Sequence, residues 1–423
     1  MKKIPAELDL LVDKQVITAE TASRIRGYYE VQESSSSARI VVVFSILGAL
    51  LVGLGIILVV AHNWDTFPKL VRLGIAFLPL LLTHSVGGYL LVRNIESTAW
   101  REATSALIIF AVATAISLVS QIYNIHGELA NFLLVWMALS APVMYVFRSS
   151  VGSLLFIVGT TWYGSQSGYL HWNSGGSLLY FALLAADVPY YVRLIRTRPD
   201  SNFTTLHHWA MAISLSIVLG TFGHRAAEWN TTAYVALFGC FVLVGQFNEI
   251  SRERILNGHM FVGSLGTIAL LLGLSFKYFW SELSVSRDFY FGPTASYLAA
   301  ILYVVDGVLL WRLMARQGIG YINAKSFIFL VFAVIFFCGL FNAMAAQALI
   351  NVLLLVIAIL TIREGTLAGS RGQMNYGLLI MAALITCRFF DVDMTFAVRG
   401  LLFILVGSCF FIANYKMSKM KKF

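Results

Sequence analysis

The chain has 423 residues, of which 59% are hydrophobic and only 12% are charged. An ordinary soluble domain carries roughly 25% charged residues, so this composition excludes a water-soluble globular protein as the main architecture. The net charge of +9 does not indicate a nucleic-acid partner, because the basic residues are scattered between apolar runs and form no basic face on a folded domain.

Residues 1–33 are predicted to form a cytoplasmic amphipathic helical hairpin, followed by a Ser-rich linker at 34–38. Its two helices are expected at Pro5–Lys14 and Thr18–Glu30, with the Thr18 side chain capping the second helix. No apolar signal core precedes the first long apolar run, so we expect the amino terminus to stay in the cytoplasm. A hairpin this small is no enzyme, and we expect it either to dock a cytoplasmic protein or to serve membrane insertion only.

Apolar runs of about 17 to 25 residues recur through the rest of the chain, and each is long enough to cross the hydrocarbon core as a helix. They are apolar all round, whereas barrel strands alternate apolar and polar residues. The predicted fold class is therefore all-α, a polytopic transmembrane helical bundle of about 14 spans (12–14). The transmembrane domain covers 39–415, a basic cytoplasmic tail follows at 416–423, and the spans are predicted at 39–61, 68–92, 103–123, 130–147, 150–165, 176–192, 207–223, 232–248, 257–277, 294–313, 324–343, 345–362, 373–388 and 397–415.

Lysine and arginine test this arrangement, because cytoplasmic loops next to spans carry the excess of basic residues. Most of the 30 basic residues fall in alternate loops, those that are cytoplasmic if the amino terminus is inside. We therefore predict that both termini are cytoplasmic and that the number of spans is even.

Two aspartates lie deep in predicted spans. Asp187 and Asp306 each precede an arginine, Arg193 or Arg312, by six residues. A charge at the bilayer centre costs at least about 2.5 to 3.5 kcal/mol, so each carboxylate needs a partner, an aqueous cavity or a function. Two interpretations stay open: proton or cation coupling, and an aspartate that is hydrogen-bonded to a neighbouring helix.

Polar side chains also collect at the span ends that the predicted topology places outside. We expect them to enclose an outward-facing polar cavity that binds a polar solute or a lipid head group. The alternative is that they are ordinary interface residues, since tryptophan, tyrosine and polar loops are common there in any membrane protein. The candidate substrate-binding residues are Asn63, Asp65, Gln121, Tyr123, His126, Glu128, His224, Glu228, Arg388 and Asp391.

Small residues inside the spans are predicted to have packing roles. The four cysteines lie far apart and form no CxxC pair or metal-ligand spacing, so no metal site and no cofactor is expected. Glycines allow helices to approach closely, and those singled out for this role are Gly48, Gly53, Gly55, Gly263, Gly266 and Gly273.

A series of short motifs resembles a family of bacterial multi-pass inner-membrane proteins that is catalogued as a domain of unknown function. The resemblance covers about residues 1–150, and the tail from Arg388 to Asp391 with Arg399-Gly400 and Gly407 looks like the closing span pair of related members. His62 departs from the pattern, where a small residue is expected. The resemblance implies an inner-membrane setting and brings no activity, cofactor or catalytic residue. The motifs are Ile17-Thr18, Gly48 to Asp65 ending in Ala61-His-Asn-Trp-Asp65, Gln121-Ile-Tyr123 with Gly127, and Trp136-Met-Ala-Leu139 with Pro142.

Three classes of function are compatible with these observations. A transporter-like protein is the leading hypothesis, because many helices, short loops and buried carboxylates are typical of secondary carriers. A membrane-embedded enzyme acting on a lipid or lipid-linked substrate is the first alternative, with Glu228, Asp391 and His126 as acid–base candidates. A sensor or assembly factor that uses the amino-terminal hairpin is the second. The chain has no GxxxxGK[ST] phosphate loop, so ATP-driven transport by this chain alone is not expected.

Overall fold

A computed structural model describes residues 8, 11–25, 62, 64–169, 178–223, 227–247, 257–285, 294–318, 324–391 and six single positions between 400 and 411. The first predicted span, most of the last, the linker and the carboxyl-terminal tail lie outside the described residues. Every regular element that is described is helical and no described residue is in a strand, which confirms the all-α prediction.

The described helices begin and end close to the predicted span edges, so each predicted span from the second to the thirteenth coincides with a helix. A short helix, α9, was not predicted. The helices are α1 (Lys69–Val92), α2 (Thr98–Ile122), α3 (Leu129–Val146), α4 (Ser150–Tyr169), α5 (Leu179–Thr197), α6 (Asn202–Leu219), α7 (Ala227–Phe247), α8 (Gly258–Leu274), α9 (Lys277–Val285), α10 (Thr294–Gln317), α11 (Ile328–Phe341), α12 (Ala343–Leu367) and α13 (Arg371–Asp391).

By length and composition alone, α1, α2, α3, α6 with its following turn, α7, α10 and α12 are long and apolar enough to cross a membrane. Among the described helices, α4, α5 and α13 do not meet that standard. The physical reason is visible in their sequences, since α4 is rich in serine, threonine and glycine, and α5 and α13 carry charged residues.

The chain divides into two compact units, residues 1–77 and 78–423. In the first unit, residues 19–25 are helical, and Oγ1 of Thr18 accepts a hydrogen bond of 3.2 Å from the amide of Thr21. The predicted cap is therefore confirmed.

In the second unit, α4 lies at the centre of the amino-terminal helices and packs against α2, α3, α5 and α6. Further along the chain, α7 packs against α8 and α10, and α12 packs against α13. These carboxyl-terminal helices share one apolar core, in which the side chains of Trp280, Phe332 and Phe336 are fully buried. Each group of helices thus has an interior of its own within this unit.

Large apolar side chains also cover outward-facing helix surfaces of the second unit. Leu107, Phe110, Leu139, Val304 and Val334 are all exposed. Monomeric soluble proteins rarely expose contiguous apolar patches of this kind, whereas lipid tails solvate them. This distribution agrees with a protein that is embedded in a membrane.

Candidate functional site

The carboxylate of Asp187 on α5 is hydrogen-bonded to α4 and, through α4, to α6. Oγ of Ser153 lies 2.6 Å from Oδ1 of Asp187 and 2.8 Å from Nε2 of His207. The other ring nitrogen of His207 lies 2.6 Å from the carbonyl oxygen of Phe203. Asp187, Ser153 and His207 are each 0% exposed. We call them the buried triad.

The buried triad completes its hydrogen bonds only when Asp187 and His207 together hold one exchangeable proton. A carbonyl oxygen only accepts, so Nδ1 of His207 carries a hydrogen. If the single hydroxyl hydrogen of Ser153 is donated to Asp187, then Nε2 of His207 must be protonated. If it is donated to Nε2, then Asp187 must be protonated to donate to Ser153. The two forms differ only in which end of the triad holds the proton.

Aromatic and histidine side chains extend this polar region toward α8. The hydroxyl of Tyr191 is hydrogen-bonded to Nδ1 of His208, and its ring stacks on His207 with centroids 6.2 Å apart. The rings of His208 on α6 and His259 on α8 lie 5.0 Å apart, and both side chains are buried. Three histidines from two helices therefore meet around one tyrosine.

Glu102 on α2 holds the first turn of α4. Its carboxylate accepts hydrogen bonds from the hydroxyl of Ser149 and from the amides of Ser150, at 3.0 Å, and Val151, at 2.7 Å. The unpaired amides at a helix start carry partial positive charge, which stabilises a carboxylate there. Oγ of Ser150 lies 3.0 Å from the hydroxyl of Tyr190, so α5 is joined to the same point.

A cavity of about 580 Å³ opens beside Glu102, where the connections α1–α2, α3–α4 and α5–α6 meet. Two of its other lining residues, Ser150 and Tyr190, connect it to the helices that hold the buried triad. Its charged lining residues are Arg101, Arg148, Arg193, Arg198, Glu96 and Glu102. None of the residues predicted for the outward-facing cavity lines this one.

Asp306 on α10 is also 0% exposed, but its surroundings differ from those of Asp187. Among the described residues, neither of its carboxylate oxygens has a hydrogen-bond partner. The thiol of Cys240 on α7 is a polar neighbour, and the hydroxyl of Tyr303, one turn before Asp306, is likewise buried without a partner. Asp306 is therefore a poorly compensated buried carboxylate.

The predicted outer residues are placed as follows. In the first unit, Asp65 is exposed and its carboxylate lies 3.8 Å from the guanidinium of Arg72. In the second, Gln121, Tyr123, His126 and Glu128 are exposed where α2 is followed by α3, and Glu228 is partly buried in the first turn of α7. Asn63, His224 and the side chain of Asp391 lie outside the described residues.

Arg388 meets another part of the predicted outer face. Its guanidinium donates to Oγ of Ser275 at 3.2 Å, in the connection between α8 and α9. The indole of Trp280 donates to the carbonyl oxygen of Leu274 at 2.6 Å, and the amides of Gln347 and Asn351 donate to the Ser275 carbonyl oxygen. Residues from α9, α12 and α13 thus converge on one connection.

Sequence reasoning selected Asp187 but missed its partners. Ser153 is an ordinary residue in a small-residue helix, and His207 lies at the edge of its predicted span, so neither carries a motif. The available signal was chemical, because an aspartate in an apolar span needs a hydrogen-bond donor and histidine is a frequent one. Glu102 was missed because it lies between predicted elements.

Comparisons with known proteins do not assign an activity. No match to the chain was found among curated proteins or among solved structures. Over residues 9–153 the chain matches the family described as predicted membrane protein (DUF2157), which confirms for this part the resemblance to membrane proteins of unknown function.

Proposed function

We propose that this membrane protein is a proton-coupled carrier of the bacterial inner membrane, and that the buried triad is its proton-binding element. The observation that carries the proposal is the hydrogen-bond geometry of Asp187, Ser153 and His207. Because one proton satisfies the triad at either end, it has two nearly equivalent states, and such a pair of states is what a coupling element needs.

The position of the cavity supports the proposal. Ser150 lines the cavity and precedes Ser153 by three residues, and Tyr190 lines it three residues after Asp187. Three residues are a little less than one helical turn. The triad therefore lies about one turn deeper than the cavity wall, close enough for protonation to depend on what the cavity holds.

Both predicted faces have a role in such a carrier. The connections that surround the cavity are those that the basic-residue bias assigns to the cytoplasm. The polar residues predicted on the outer face, among them Gln121, Tyr123 and Glu128, would then form the opposite opening for a polar solute or lipid head group. Alternating exposure of one site to the two faces is the usual mechanism of secondary carriers.

The test uses the full-length protein in proteoliposomes that contain a pH-sensitive dye. Gradients of phosphate-bearing, carboxylate-bearing and zwitterionic solutes are imposed one class at a time, and the internal pH is followed. We expect one class to drive a pH change in the wild type. Asp187→Asn should abolish that change, because an amide cannot take up the proton.

Asp200→Asn is the matched control, since Asp200 lies exposed in the connection between α5 and α6. It should behave as the wild type, and both variants should elute and unfold as the wild type does. The proposal is wrong if no solute class moves protons, or if Asp187→Asn sustains the same pH change.

A further inference from the structure

The arginines that line the 580 Å³ cavity have no carboxylate partners. Among the described residues, no carboxylate lies within ion-pair distance of the guanidinium groups of Arg101, Arg148, Arg193 or Arg198. Arg101 donates to the carbonyl oxygen of Ile95 at 3.2 Å. These cations therefore have donor groups available for a ligand.

The acidic residues of the cavity do not remove this positive charge. The oxygens of Glu102 accept three hydrogen bonds from the start of α4, so that carboxylate is occupied by helix amides and a hydroxyl. Glu96 is exposed at the rim. Four arginines and two glutamates leave the lining with a formal excess of two positive charges.

From this arrangement we propose that the cavity is a binding site for a phosphate monoester group. A phosphate monoester carries about −1.5 to −2 charges at neutral pH, which matches the excess in the lining. Guanidinium groups bind phosphate oxygens in bidentate pairs. Small-molecule sites commonly have volumes of about 300 to 1,000 Å³, so the cavity has room for more of the ligand than its phosphate.

The topological bias alone does not account for the site. That bias places basic residues on one side of the membrane but does not direct them into a shared cavity. Arg193, Arg196 and Arg198 illustrate the difference. All three lie at the end of α5, but only Arg193 and Arg198 line the cavity.

The phosphate group has two sources, a soluble phosphomonoester or the head group of phosphatidic acid, and one experiment separates them. The full-length protein is placed in phosphatidylcholine nanodiscs, and inorganic phosphate is titrated at constant pH and ionic strength by calorimetry. In parallel, nanodiscs that contain a small fraction of phosphatidic acid are analysed by native mass spectrometry for retained lipid.

We expect saturable binding of at least one of the two probes. Arg148→Gln and Arg193→Gln should each weaken it by about tenfold or more, as expected for the loss of a charged hydrogen-bond partner. Arg196→Gln is the matched control and should stay within about twofold of the wild type, since a surface charge outside a site contributes little. The two cavity variants are on different elements, so a folding defect in one leaves the other informative.

The proposal is overturned if neither probe binds saturably, or if Arg196→Gln weakens binding as much as the cavity variants do. Binding does not depend on transport, and only the role of the ligand as cargo rests on the proposed function. The same titration in the Asp187→Asn background separates the two proposals. Binding that persists there without any solute-driven pH change in the wild type would retain the site and exclude the carrier.

Discussion

The hydroxyl of Ser153 on α4 lies 2.6 Å from the carboxylate of Asp187 on α5. This contact joins the central helix of its group to the helix that bears a deep acidic residue, and it is completed by His207 on α6. The structural interpretation of Asp187, a carboxylate bonded to a neighbouring helix, and the coupling interpretation thus involve the same atoms. They differ in what the protein does when the proton leaves.

Replacing Ser153 should destabilise the protein, whereas replacing another buried hydroxyl on the same helix should not. Ser153→Ala leaves Asp187 and His207 without their shared partner, and an unsatisfied buried polar group costs about 1 to 3 kcal/mol. The hydroxyl of Thr160 is also buried but has no hydrogen-bond partner among the described residues, so Thr160→Val should be neutral or stabilising. Thermal unfolding in one detergent, followed by circular dichroism, measures both. Equal losses in the two variants would contradict the geometry of the buried triad.

Glu102 should contribute more to stability than its neighbour at the cavity rim. Glu102→Gln removes the charge that accepts three hydrogen bonds at the start of α4, and we expect a loss of about 1.5 to 3 kcal/mol. Glu96→Gln changes an exposed side chain and should stay within about 0.5 kcal/mol of the wild type. Unfolding curves of the two variants and the wild type, recorded side by side, decide the matter. A larger loss in Glu96→Gln would show that the capping assignment is wrong.

The two deep aspartates should respond differently to the same truncation. Asp187→Ala and Asp306→Ala remove the same atoms from fully buried positions, but only the first breaks a hydrogen bond to Ser153. We therefore expect Asp187→Ala to be the less stable variant by about 1 to 3 kcal/mol. The comparison uses the same unfolding assay on both proteins. If Asp306→Ala were the more damaging change, Asp306 would have a strong partner outside the described residues.

Glycine packing should matter at Gly263 and not at Gly273, although both were predicted as packing positions. A Cβ at Gly263 would lie 2.7 Å from the carbonyl oxygen of Phe238, whereas nothing lies within 4 Å of one at Gly273. Gly263→Ala must push α7 and α8 apart, at a cost of about 1 to 3 kcal/mol for overpacking. Gly273→Ala should cost nothing, because alanine has the higher helix propensity. Unfolding temperatures of both variants test this contrast, and equal behaviour would contradict the helix spacing.

The amino-acid sequence by itself determined that the chain is a bundle of long apolar helices, where most of those helices run, and that Asp187 and Asp306 lie in their interior. Those features depend on hydrophobicity and on the length that crosses a bilayer, and both are read along the chain. The tertiary structure decided which polar groups meet. Ser153 and His207, and likewise Glu102 and Ser150, come from different helices, and their pairing follows from how α4 packs against its neighbours. Such packing depends on side-chain shape in three dimensions, which no periodicity along one helix records.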